Sequence, residues 1–265
     1  MKAFRIFGMA LIAIVLSVSL SSCSQDSDSV MGEDEVDLNE KKLTRIVSHS
    51  SQFDRTWTFT YNAKGLLIES SYESTQWKFH HQYTWIDNLI VVNGSPDYAF
   101  GVNNYTIILE NGLVQKEYCS SFEFPYTYNS SNKLIENHGP FNMTYRDAPE
   151  TFVWDSDKLM SISYTPYNSR YDTYTFKYRE DLCKKGYFPL WPAISLFYSD
   201  ELCMAHPEIM GVRTKQLPTG LICLNENGYC YSSSYTYEYD QDGYISKITE
   251  TYEDGDIIDY ILTWK

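Results

Sequence analysis

The sequence predicts an all-β protein: an antiparallel, up-and-down repeat of hairpins forming a strongly curved or barrel-like sheet, with a short helical insert near 192–211. Three observations predict it. Aromatic residues alternate with Thr, Ser and Glu along most of the chain, as in Tyr235-Thr-Tyr-Glu-Tyr239. Turn signals of the form Asp/Asn-x-x-Gly end such runs, as in Asp240-Gln-Asp-Gly243. Tyr61, Trp85, Ile107, Tyr128 and Trp154 recur at steps of about 21–26 residues, room for two strands and two turns in each step.

The repeated unit is a hairpin for physical reasons. Successive side chains of a strand face opposite sides, so Tyr235, Tyr237 and Tyr239 share one face and Thr236 and Glu238 the other. Asp240 can bond its own backbone to start a turn, and Gly243 accepts the positive φ that closes it. The same grammar runs through Trp57–Ile68, Tyr83–Ile90, Tyr105–Val114, Tyr126–Ile135, Phe152–Met160 and Cys223–Cys230.

The Tyr-x-Tyr-Asp-x-x-Gly element resembles the tyrosine–aspartate (YD/RHS-type) repeat of large bacterial shell and wall-associated proteins. The chain after residue 23, including Leu217-Pro218 beyond the insert, resembles a family of uncharacterised Bacteroidota lipoproteins with a porin-like fold. That resemblance implies a curved, barrel-like sheet and a cell-envelope location. It implies no catalytic residues.

In chain order, Met1–Cys23 reads as a lipoprotein signal peptide. Lys2 and Arg5 precede an apolar run, Ile6–Leu20, too short to span a bilayer, and Leu20-Ser-Ser-Cys23 resembles a lipobox. Cys23 is therefore the expected lipid attachment site. An ordinary secretory leader is the alternative. Residues 24–40 contain Asp26, Asp28, Glu33, Asp34, Glu35, Asp37 and Glu40 with no base and no aromatic, and read as an acidic flexible tether. Such acids after a lipidated Cys also resemble a surface-export signal.

Residues 41–265 read as a single β-hairpin-repeat domain. Aromatics make up 16% of the chain, with 24 Tyr, which is area enough for one core. Thr56, Thr58 and Thr60 oppose Trp57, Phe59 and Tyr61, giving a polar face and an aromatic face. A sheet with one wet face shows this pattern, and so does an outer-membrane barrel with an aqueous lumen. Tyr260-Ile-Leu-Thr-Trp264 resembles a terminal outer-membrane strand, but few strands offer an aliphatic lipid face. In the insert, Pro192 suits a first helical turn and Pro207 lies just beyond the end, with a second turn over 208–211. The insert is expected to plug the open end or concave face of the sheet.

The formal charge of −14 disfavours nucleic acid as a partner. Cofactors and metals are not expected: no CxxC, H-E-x-x-H, G-x-S-x-G or phosphate-binding Gly loop occurs. His80 and His81 adjoin in a strand and face opposite sides. Cys203 and His206 read as two buried helix residues rather than a catalytic pair. Turn formation accounts for Asp240 and Asp254 without calcium. Cys223 and Cys230 flank a turn symmetrically and could form a disulfide in an oxidising envelope. Trp191, Tyr187 and Phe188 are candidate sugar-stacking residues, unless they pack beneath the insert.

The expectation is a lipid-anchored, surface-exposed envelope protein that binds a glycan or envelope protein, or serves structurally, without catalysis. An envelope hydrolase acting on a glycan is the second reading; a buried acid pair would favour it. An outer-membrane β-barrel is the third.

Overall fold

The computed structural model describes residues 40–51, 54–94, 104–119, 122–138, 149–164, 172–179, 185–190, 200–214, 216–225 and 228–265. Residues 41–265 form one compact unit. Among the described residues, the first eight strands are β1 (Leu43–His49), β2 (Asp54–Tyr61), β3 (Leu67–Ser74), β4 (Lys78–Ile86), β5 (Leu89–Gly94), β6 (Asn104–Glu110), β7 (Leu113–Cys119) and β8 (Phe122–Tyr128). The second eight are β9 (Leu134–Asn137), β10 (Glu150–Asp155), β11 (Lys158–Tyr164), β12 (Asp172–Tyr178), β13 (Pro218–Asn225), β14 (Gly228–Tyr239), β15 (Ile245–Tyr252) and β16 (Ile257–Trp264). Each pairs with its sequence neighbours, and β1 pairs with β16 to close an antiparallel up-and-down barrel. The expected fold class holds, and the sheet closes fully. Among the described residues of the insert between β12 and β13 there is one short helix, α1 (Asp200–Ala205).

Alternation decides which way each residue faces. Trp57, Phe59, Tyr83, Ile90, Tyr105, Phe124, Phe152, Phe176 and Tyr235 are buried, while Thr60, Lys78, Gln82, Thr84, Lys177, Thr236 and Glu238 face water. Apolar residues on the outer wall are few: Val153 and Ile257 face Ser161 and Thr251, and Ile86, Leu89 and Ile108 make a small patch across β4–β6. Among the described residues they form no continuous apolar band of the kind a lipid-facing barrel presents.

The two mouths differ. Tight turns at 62–66, 87–88, 111–112, 129–133, 156–157 and 240–244, together with the insert, lie at one mouth, where β1 begins and β16 ends. Asp240 Oδ1 accepts from the N–H groups of Asp242 and Tyr244, both at 2.9 Å, and Gly243 has φ of 88°. Asn62 and Asn129 build the same turn with the same two backbone donors.

At this mouth the strands depart from simple alternation. Seven of the eight odd-numbered strands carry a β-bulge against the preceding strand; β5 has none. The extra residue puts inward-facing positions three apart: Leu43 and Ile46, Leu67 and Ser70, Val114 and Glu117, Leu134 and Asn137, Leu159 and Ile162, Pro218 and Leu221, Ile245 and Ile248. A bulge leaves a carbonyl outside the ladder, and an aromatic from the next even strand caps each one. Tyr61 donates its hydroxyl to Leu43 O at 2.7 Å, Tyr128 to Val114 O at 2.6 Å, and Tyr178 to Leu159 O at 2.7 Å. Trp85, Trp154 and Trp264 donate Nε1–H to Leu67, Leu134 and Ile245 O at 2.7, 2.7 and 2.6 Å. Tyr237 donates to Pro218 O. The aromatic landmarks read from the sequence are these caps. At the Ile107 position the unit breaks, since β5 has no bulge to cap.

Candidate functional site

The insert plugs the turn-lined mouth, as expected. Its first arm docks on β14–β16: Lys185 bridges to Tyr244, Tyr187 meets Trp264 edge-on with centroids 5.2 Å apart, and Phe188 meets Tyr235 at 5.2 Å. Its second arm docks on β3, β7 and β9 through backbone donors that the bulged strand starts leave free of the ladder. Leu67 N–H donates to His206 Nε2 at 3.2 Å, Val114 N–H to Ile209 O at 2.9 Å and Leu134 N–H to Gly211 O at 3.1 Å. At each of these three starts the aromatic cap takes the carbonyl and the plug takes the N–H. His206 then carries its proton on Nδ1, facing Glu208 Oε1 at 2.8 Å, and its ring lies edge-on to Tyr61 and Trp85. Tyr187 ties the arms together, donating to the carbonyls of Met204 and Ala205 at 2.8 and 3.0 Å.

Toward the opposite mouth the interior turns polar. Asn137 stands across from Tyr126 on one side and Glu150 on the other, and Glu117 lies on the next strand along, opposite Phe124. Glu117, Asn137 and Glu150 are all buried. Burial pushes the Glu150 carboxyl up to about 8; Asn137 opposes this by hydrogen bonding and the Glu117 charge adds to it. Burial, then Glu117, raises the Tyr126 hydroxyl well above its ordinary range. On a distant part of the wall, Glu250 accepts from Ser233 Oγ at 2.8 Å and Tyr260 OH at 3.1 Å. Beneath the plug, His81 Nδ1 lies 3.4 Å from Glu201 on α1. Among the described residues the buried charged groups are thus Glu117, Glu150, Glu201 and Glu250, with no buried Lys or Arg. Such an interior can hold a proton between carboxyls, or meet hydroxyl-rich or cationic groups.

Sequence reasoning missed two of these acids, Glu117 and Glu250, for a specific reason. The bulge on β7 shifts Glu117 onto the inward face, where unbroken alternation from Val114 would turn it outward. The bulge on β15 does the same for Glu250 relative to Ile245. The Asx-type turns before β3, β9 and β15, closed by Gly65, Asn132 and Gly243, announced hairpins, but not the extra residue.

Of the expected site residues, Cys23 and Trp191 lie outside the described residues. Tyr187 and Phe188 are 8% and 1% exposed, their rings packed between the plug and the wall residues Trp264 and Tyr235, the alternative the sequence offered to sugar stacking. Cys223 and Cys230 are unlinked thiols. A further bulge makes Cys230 the extra residue opposite the Cys223–Leu224 step, so the symmetric facing read from the sequence becomes a diagonal one. Burial, then the neighbouring Cys230 thiol, pushes Cys223 up to about 12. His80 faces outward to Glu69 while His81 faces inward.

The barrel is similar to solved structures, two of them from Bacteroides. One is a porin-like protein from Bacteroides vulgatus, 12% identical, covering 85% of this chain and 99% of that one with a TM-score of 0.59. The other is a porin-like protein from Bacteroides uniformis, 15% identical, covering 84% and 98% with a TM-score of 0.55. At these identities the likeness is one of fold. No protein-family profile and no curated protein sequence matches the chain.

Proposed function

We propose that this chain is a lipid-anchored envelope protein, displayed outward, whose barrel serves as a non-catalytic binding or structural body. The observation that carries the reading is the plugged mouth. A barrel of this strand number can enclose an aqueous channel, but here the insert is bonded across one mouth to strands on both sides of the ring. A closed body with a polar outer wall suits water, and the lipobox Cys23 supplies the attachment. The ligand class that fits the polar far interior is a hydroxyl-rich glycan or another envelope ligand. The test is fractionation with protease treatment of intact and lysed cells. Wild type should stay with the membrane and be digested on intact cells, and Cys23→Ser should leave the membrane. A Cys23→Ser protein that stays membrane-bound at wild-type size refutes the anchor; protection until lysis refutes outward display.

A second reading is favoured by one observation. Glu117 and Glu150 are buried acids in which Glu150 stays protonated near neutral pH, an arrangement suited to general acid catalysis of glycoside hydrolysis. Glycan turnover by wild type that Glu150→Gln abolishes would establish it.

A further inference from the structure

We propose that the inner wall at the mouth opposite the plug binds a neutral, hydroxyl-rich oligosaccharide, stacked on Trp77 at the rim and hydrogen-bonded by Arg55, Tyr252 and Tyr260. The proposal rests on the glycan-binding reading and gives it a place and a ligand class.

Strand register brings these groups together. The β3–β4 turn lies at this mouth, because the turns before and after it, 62–66 and 87–88, lie at the plugged one. Along one row across the wall, Tyr260 on β16 stands opposite Ser48 on β1, Ser48 opposite Arg55 on β2, and Arg55 opposite Ser74 on β3. Ser74 N–H donates to Trp77 O at 2.8 Å and Ser74 Oγ accepts from Trp77 N–H at 2.9 Å, so the row ends on Trp77 in an ordered turn. Ser48 is buried, which marks the row as inward-facing. In the next inward row, Trp57, Tyr72 and Phe79 stand opposite one another, with Tyr72 and Phe79 stacked at 4.7 Å and Trp57 edge-on to Tyr72 at 5.2 Å. Trp57 is 7% exposed and Trp77 is 52% exposed, so Trp77 offers an open ring beside a packed aromatic floor.

The other end of the row is polar. Buried Glu250 accepts from Ser233 Oγ at 2.8 Å and from Tyr260 OH at 3.1 Å. Tyr252 stands opposite Ser233 and meets the Tyr231 ring with centroids 5.7 Å apart. Burial raises the Tyr252 and Tyr260 hydroxyls, Glu250 adds to this, and the Arg55 charge opposes it, so all four groups share one neighbourhood. Arg55, Tyr252 and Tyr260 are half-buried rather than sealed.

This chemistry selects the ligand. A sugar offers an apolar ring face to Trp77 and hydroxyls that both donate and accept to guanidinium, phenol and carboxylate. One Arg and one Glu balance each other, which favours a neutral ligand over a charged one. An extended peptide would dock on a free strand edge, and the closed ring of strands has none. Four strand spacings of about 4.8 Å separate Tyr260 from Trp77, roughly 19 Å along the wall, which suits several linked sugars better than one.

The experiment uses the processed chain, residues 23–265, carrying Cys23→Ser, run on native gels containing amylose, laminarin, galactomannan or the anionic polygalacturonate. The expected result is retardation by at least one neutral polysaccharide and none by polygalacturonate. Trp77→Ala and Arg55→Gln should each weaken that binding about tenfold, and Trp77→Phe should retain most of it. Ile257→Ala, an exposed outer-wall change near the same mouth, should bind like the parent, and Trp77→Ala should melt like it. Neutral-glycan binding that Trp77→Ala and Arg55→Gln both keep overturns this site and leaves the glycan reading standing. Retardation by polygalacturonate alone overturns the neutral ligand class. Binding to none of the four overturns the site and the glycan reading together, while anchor and display remain to the cell fractionation.

Discussion

The ring of aromatic caps makes a quantitative prediction. Tyr178→Phe removes one hydroxyl and little else, and that hydroxyl is the donor to Leu159 O at 2.7 Å. Leu159 is fully buried and sits at a bulge, outside the stretch of β11 that pairs with β12. Losing a typical hydrogen bond costs about 0.5–1.5 kcal/mol, and leaving a buried acceptor unsatisfied costs about 1–3 kcal/mol. The expected loss is therefore about 2 kcal/mol. Tyr61→Phe and Tyr128→Phe remove equivalent bonds to Leu43 and Val114 on strands that do not adjoin β12. Separate sites add, so the triple variant should lose about 5–6 kcal/mol, comparable with the whole stability of many domains. Urea unfolding followed by tryptophan fluorescence measures this, with a shift in midpoint at constant slope as the signature of a pure stability change. A triple variant within about 1 kcal/mol of wild type would refute the reasoning and show the carbonyls to be satisfied by water instead.

Three further predictions follow from the plug, the buried acids and the thiols. Gly211 has φ of +65°, and a Cβ there would stand 2.7 Å from Tyr128 Cε1, 2.8 Å from Asn132 O and 2.9 Å from Leu134 N. Gly211→Ala should thus cost about 2–4 kcal/mol and speed proteolysis within the insert; unchanged proteolysis would mean the second arm is not held at this contact. Glu150 binds its proton up to about pH 8 when folded but only to the ordinary carboxylate range when unfolded, so wild-type stability should fall as pH rises between about 4.5 and 8, by at most ~1.4 kcal/mol per pH unit from this group. Glu150→Gln should flatten that slope in thermal melts, and an unaltered slope would count against a protonated Glu150. In reduced protein, iodoacetamide should label exposed Cys230 and spare Cys223 until unfolding, as read by mass spectrometry. In protein taken from the envelope without reductant, alkylation of Cys223 would exclude the disulfide expected from the sequence.

Side-chain alternation and Asx-type turns are local properties, and they were legible from residues alone. Asp240 and Gly243 specify their turn by backbone bonds and a positive φ within five residues, and Asn62 and Asn129 repeat it. Tyr61, Trp85, Tyr128 and Trp154 marked the repeat because each performs one identical task, capping the carbonyl of the strand before it. Pro207 and the loss of strand alternation before it signalled the insert.

What depended on the tertiary structure was everything set by register and closure. Whether β1 meets β16 depends on the summed tilt and stagger of all strands, which no single hairpin encodes. A bulge adds one residue and reverses which face all later residues occupy, so Glu117 and Glu250 point inward only because of residues that pair with a neighbouring strand. Tyr187 and Phe188 carry no local mark separating a sugar platform from a packed plug, because their burial comes from Trp264 and Tyr235, far along the chain. The backbone bonds between Lys42 and Lys265 likewise form only when the seam closes. Local chemistry thus determined the hairpin and its repeat, while closure of the ring decided what the repeat encloses and which charges stand together.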